Sequence, residues 1–129
     1  MTREEVTRYM ENQYGAQAEY PFEADSETAV FRHKGNGKWF SIIMRVSARK
    51  IGLETDDMID IMNVKADPFV IGSFLTEPGF YRAYHMNKTH WVTISLDGKC
   101  DDEKIKLFID MSFSLTGEKR RRKSEEKHP

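Results

Sequence analysis

The sequence predicts a two-layer α+β domain, an antiparallel sheet covered on one face by helices, in the order α-β-β-β-α-β-β-α. Three observations carry this expectation. The chain has 129 residues, the size of one compact domain. Two pairs of β-branched and aromatic stretches each fold back through a short polar turn, and hairpins build antiparallel sheets. Three further stretches carry helix caps or apolar residues at helical spacing.

The first helix is expected from Thr2, because Thr2 with Glu5 forms a capping box in which each side chain bonds the other's backbone N–H. Val6, Tyr9, Met10 and Tyr14 follow at helical spacing, Gly15 is the expected stop, and Tyr20-Pro21-Phe22 opens a connector. Residues 28–33 and 38–46 are expected to pair as a hairpin around Gly35-Asn36-Gly37. Strict alternation would put Phe40, Ile42, Met44 and Val46 on one face and Trp39, Ser41, Ile43 and Arg45 on the other. After a polar stretch from Ser47 to Asp57, residues 58–64 form a third strand. Asp67-Pro68 starts a second helix, aspartate as N-cap and proline at the first helical position. Residues 80–85 and 90–96 give a second hairpin around Met86-Asn87-Lys88-Thr89, with Asn87 expected to take left-handed geometry and Lys88 to sit at the tip. A last helix is capped by Asp101 or Asp102 and buries Ile105, Phe108, Ile109, Ser112 and Leu115, with Met111 at its edge. The domain is therefore expected over residues 1–117, followed by a basic, disordered tail over 118–129.

Composition narrows the function classes. The one cysteine, Cys100, excludes an internal disulfide and a multi-thiolate zinc cluster. No apolar run reaches the ~18–20 residues of a membrane helix, and the N-terminus does not read as a signal peptide. A cytoplasmic protein with no membrane partner is expected. Twenty basic against 21 acidic side chains, a net charge of −1, argues at first against a polyanion partner. The charge is segregated, however: −5 over residues 1–27, +6 over 28–53, −5 over 54–79, +2 over 80–100, −3 over 101–118 and +4 over 119–129.

Catalytic and metal chemistry finds little support in the residues. Cys100 begins the last helix, where the dipole would favour a thiolate, but Asp97, Asp101 and Asp102 oppose it, so an ordinary thiol is expected. His85 and His90 flank a turn without a third ligand, and His128 lies in the tail. Gly35-Asn36-Gly37-Lys38 joins two strands and lacks the helix a phosphate loop requires. Glu54, Asp56 and Asp57 lack the spacing of a calcium loop. No metal, cofactor or catalytic residue is expected.

Surface chemistry for binding remains. The first hairpin offers Arg32, Lys34, Lys38, Trp39 and Arg45; the second offers Tyr81, Arg82, Tyr84, His85, Asn87, Lys88, His90 and Trp91. Cations, amides and aromatics on two hairpins could hold a phosphate backbone or stack on bases. The competing reading leaves the cations as an ordinary solvated face and both tryptophans as covers of the core.

The runs Asn63-Val64-Lys65-Ala66-Asp67-Pro68 and Pro78-Gly79-Phe80-Tyr81-Arg82-Ala83-Tyr84-His85-Met86-Asn87-Lys88-Thr89-His90-Trp91, with Leu96-Asp97-Gly98 beyond, resemble the MmcQ/YjbR-like family. Gly37-Lys38-Trp39-Phe40 and the helix over 107–115 fit it too, so the resemblance covers roughly residues 2–116. It implies small bacterial cytoplasmic proteins with a CyaY-like, secretion-chaperone-like α+β fold, labelled with a double-wing DNA-binding motif and without established catalytic residues. Ala66 stands where members often have cysteine, Ser47–Asp57 is longer than in many, and the basic tail is particular to this chain. The expectation is a non-enzymatic DNA-binding protein acting through two basic hairpins. The alternative is a protein-binding adaptor, and a monomer is the expected state in either case.

Overall fold

The structure, a computed structural model, describes residues 1–117; the expected disordered tail lies outside them. Helix α1 spans Arg3–Tyr14, and both capping-box bonds form: the Glu5 amide donates to Thr2 Oγ1 at 3.2 Å and the Thr2 amide to Glu5 Oε1 at 2.8 Å. Gly15 ends it in left-handed geometry at φ 67°. Strands β1 (Ala29–Arg32), β2 (Trp39–Ser47) and β3 (Met58–Lys65) follow, with a single 3-10 turn at Ala48–Ile51 inside the stretch expected only to be polar. Helix α2 covers Pro68–Phe74, where the Asp67 carboxylate accepts from the Phe69 amide at 2.8 Å. Strands β4 (Phe80–Arg82) and β5 (Trp91–Ser95) precede helix α3, Asp102–Leu115. The order α-β-β-β-α-β-β-α is the expected one. No helix among the described residues is long and apolar enough to cross a membrane.

All pairings are antiparallel, and the strand order is β1-β2-β3-β5-β4. The helices cover the sheet face that carries Ala29, Phe31, Ile43, Met62, Val64, Val92, Ile94 and Phe80, all in one core with Val6, Met10, Ile71, Ile105, Phe108 and Ile109. Tyr9 and Tyr14 of α1 both donate to the Asp110 carboxylate of α3, which ties the two helices together. Burial, then the Asp110 contact, holds the Tyr9 hydroxyl up to about 12 and raises Tyr14 further in the same direction.

Three expectations change. Strict alternation in β2 fails at Phe40: Phe31 pairs with Ser41 but Arg32 pairs with Trp39, so Phe40 is the extra residue of a β-bulge. The bulge turns Phe40 into the helix-facing core, 4.9 Å from the Phe113 ring, whereas Ile42 stays on the opposite face. A bulge leaves backbone groups unpaired, and the buried Ser112 hydroxyl serves them. It donates to the Phe40 carbonyl at 2.6 Å and accepts from the Lys65 amide at 2.8 Å. Second, Leu115 is exposed and Thr116 is buried in its place. The buried row of α3 runs Ile105, Ile109, Ser112, Thr116, and Leu115 falls to its side. Third, β4 and β5 are shorter than expected, and residues 83–90 form a long loop between them.

Candidate nucleic-acid interface

That loop is built by hydrogen bonds no local pattern announces. Asn63, fully buried on β3, donates through Nδ2 to the Tyr84 carbonyl at 2.9 Å. Thr93 Oγ1 donates to Asn63 Oδ1 and accepts from the Tyr84 amide at 2.9 Å. The next residue, His85, has φ 61°. Left-handed geometry thus belongs to His85 and not to Asn87, as expected from sequence. Asn87 instead closes the turn with its side chain, accepting from the Thr89 and His90 amides at 2.8 and 3.2 Å, while its carbonyl accepts from Trp91 at 3.0 Å. Lys88 is exposed on this turn.

Strand order then decides the geometry. The end of β1 and start of β2 lie beside the end of β3, which lies beside the start of β5 and the end of β4. The turn over residues 33–38 and the loop over 83–90 therefore emerge at the same end of the sheet. The C-terminus of α3 is there too: Asn36 Nδ2 donates to the Thr116 carbonyl at 2.9 Å, and His33 Nε2 meets Thr116 Oγ1 at 2.8 Å. A cleft of about 410 Å³ opens between this turn and α3, lined by Tyr14, Arg32, His33, Lys34, Asn36 and Phe113 among others.

This loop end gathers Arg32, Lys34, Lys38, Trp39, Arg82, Tyr84, His85, Asn87, Lys88, His90 and Trp91. Arg45 is not among them. It sits six residues along β2 from Trp39, about 20 Å away, and binds Asp60 at 3.5 Å, the same carboxylate that holds Arg3 at 3.1 Å. Sequence reasoning also missed Lys65, Asn63 and Thr93; the first joins the basic set and the others shape the loop.

The two ends of the sheet differ in how their cations are used. At the far end Arg3, Arg45, Arg49, Lys99 and Lys104 each pair with an acid, and Lys50 forms no ion pair among the described residues. At the loop end Arg32 pairs with Glu19 at 3.0 Å, but Lys34, Lys38, Lys65, Arg82 and Lys88 form no ion pair among the described residues. Unpaired cations clustered at one end sustain a positive field there despite the neutral total.

Cys100 lies at the far end, buried under Gly79. Burial pushes its thiol up to about 11; Asp101 and Asp102 add to the rise and Lys104 opposes it. Below the ordinary value of 9.0 the thiol is neutral folded or unfolded; between about 9 and 11 the unfolded chain ionises first, so stability falls as pH rises through that window. We expect urea unfolding at pH 8.5 and 10.5 to show this loss, and Cys100→Ala to shrink it by about 1–2 kcal/mol. An unchanged loss in the variant would assign it to other groups. Among the described residues no three His, Cys, Asp or Glu side chains gather to hold a metal ion.

A family model described as YjbR matches residues 11–115. The chain is 34% identical over 116 residues to the uncharacterised protein YyaQ of Bacillus subtilis (strain 168), spanning 90% of this chain and 98% of that one. A crystal structure of a Pseudomonas syringae protein superposes with a TM-score of 0.89 at 38% identity, covering 91% of this chain and all of that one (100%). A Deinococcus radiodurans protein with a DUF419 domain shares the fold, with a TM-score of 0.67 at 22% identity over 95% of this chain and 86% of its own.

Proposed function

The chain belongs to the YjbR family, and from that premise and the geometry of its loop end we propose a non-enzymatic domain that binds DNA through its two hairpin loops. The observation that supports this reading is the convergence of Lys34, Lys38, Lys65, Arg82 and Lys88, without ion pairs among the described residues, at one end of the sheet. Cations already neutralised by acids gain little from a phosphate; these cations are available to it. Loop amides and hydroxyls at the same end supply the neutral contacts that position a backbone.

Each phosphate contact releases about one counterion, so four or five contacts predict a log–log salt slope of about −4. Anisotropy titration of a labelled DNA duplex between 50 and 200 mM salt, roughly the range over which such slopes are read, measures it. Lys34→Ala with Lys88→Ala is expected to reduce the slope by about two, whereas Lys50→Ala, an exposed lysine at the far end, leaves it unchanged. A flat salt dependence, or equal effects of the two sets, would sink the proposal.

A further inference from the structure

The sheet face turned away from the helices carries a cross-strand row at the loop end whose composition the phosphate contacts do not explain. Val30, Ile42, Asn63 and Thr93 are register partners on β1, β2, β3 and β5, and all are buried. Two residues nearer the loops on β1, β3 and β5, and three on β2 because of the bulge, the same face presents Arg32, Trp39, Lys65 and Trp91 in strand order. Arg32 and Trp39 are register partners, as are Lys65 and Trp91, and the Phe40 bulge is what brings Trp39 onto this face. The Arg32 guanidinium lies over the Trp39 ring at 5.7 Å, which confirms their shared side. Cation and indole thus alternate across four adjacent strands.

The spacing has a consequence. Strands lie about 4.8 Å apart, so Trp39 and Trp91 stand about 10 Å apart with Lys65 between them. Stacked neighbouring bases are only about 3.4 Å apart, so one stacked run cannot meet both rings. An unstacked strand can, placing a base on each indole and the intervening phosphates over Lys65. A duplex cannot, because its base faces are already covered and only edges and backbone are presented. Both rings are half-buried, hence held in place yet still reachable. Trp39 is braced edge-on by Phe22 at 6.2 Å and covered on one side by Arg32; Trp91 has no ring or cation contact among the described residues.

We propose that this face binds single-stranded nucleic acid by stacking unpaired bases on Trp91 and Trp39, with Lys65 on the phosphates between them. The inference rests on the nucleic-acid reading above and adds the strandedness of the ligand and the face that takes it. Trp39 and Trp91 are the chain's 2 tryptophans, so intrinsic indole fluorescence of the full-length protein reports on this row alone. Three probes separate the possibilities: a thymidine 12-mer, an abasic 12-mer of equal phosphate number, and the thymidine strand annealed to its complement.

The single strand is expected to quench the fluorescence by half or more and to bind at least tenfold more tightly than the abasic strand. Trp91→Ala should weaken single-strand binding about tenfold and leave duplex binding within twofold; Trp91→Phe, which keeps a ring and guards against misfolding, should recover most of the loss. Abasic and thymidine strands that bind equally, or a single strand that binds without quenching, overturn the inference. Salt-dependent binding of the duplex alone overturns it too, and leaves the phosphate-contact reading standing. Failure of every probe to bind removes both.

Discussion

Gly79→Ala is expected to cost about 3–5 kcal/mol, enough to unfold much of a domain of this size. Gly79 has φ 87°, where a side chain is strained by roughly 1–2 kcal/mol. A Cβ there would also stand 2.7 Å from Cys100 Cβ and 2.9 Å from the Cys100 backbone nitrogen. Neither atom is the end of a flexible side chain. The Gly79 carbonyl also accepts from the Ser95 amide at 2.9 Å, so the turn cannot back away without breaking a bond that holds β4 in place. Urea unfolding of the two proteins measures the loss. Cys100→Gly in the Gly79→Ala background should restore only part of it, because the nitrogen contact and the backbone strain remain. A loss under about 1 kcal/mol would show that the two turns separate freely.

Ser112→Ala is expected to cost about 2–4 kcal/mol, since it strands the Phe40 carbonyl and the Lys65 amide in the core together. The functional effect should exceed what stability alone explains. Ser112 fixes the bulge that sends Phe40 inward and Trp39 outward, and it holds the backbone of Lys65 beside it. Hydrogen exchange at the Lys65 amide should accelerate more than at Ile94, and nucleic-acid affinity should fall under conditions where the variant is still folded. Unaltered exchange at Lys65 would mean that water replaces the hydroxyl without loss.

Local chemistry made much of the fold legible. Thr2 and Glu5 announce α1 because a capping box needs only residues three apart, and Asp67-Pro68 announces α2 for the same reason. Gly37, at φ 73°, supplies the geometry that the first turn requires. Misreadings arose where a distant residue decided the outcome. Alternation in β2 was broken by a bulge stabilised from α3, 72 residues away. The second hairpin was shortened because Asn63 and Thr93 captured the backbone of Tyr84. Leu115 was apolar and near the expected stripe, yet it falls to the side of the buried row that Ser112 and Thr116 continue.

The candidate site divides along the same line. Blocks of charge, +6 over residues 28–53 and +2 over 80–100, are properties of the sequence and survive any fold. The pairing of β3 with β5 is not: it is a contact between strands separated by a helix and a third strand, and no turn signal specifies it. That pairing puts both loops at one end, draws Lys65 into the set and aligns Trp39 with Trp91 across the sheet. The register of β2 with β3 leaves Arg45 at the far end, paired with Asp60. The sequence alone determined which residues could meet a polyanion. Tertiary structure decided which of them do so together, because long-range strand pairing, and not local propensity, sets the distance between cations remote in the chain.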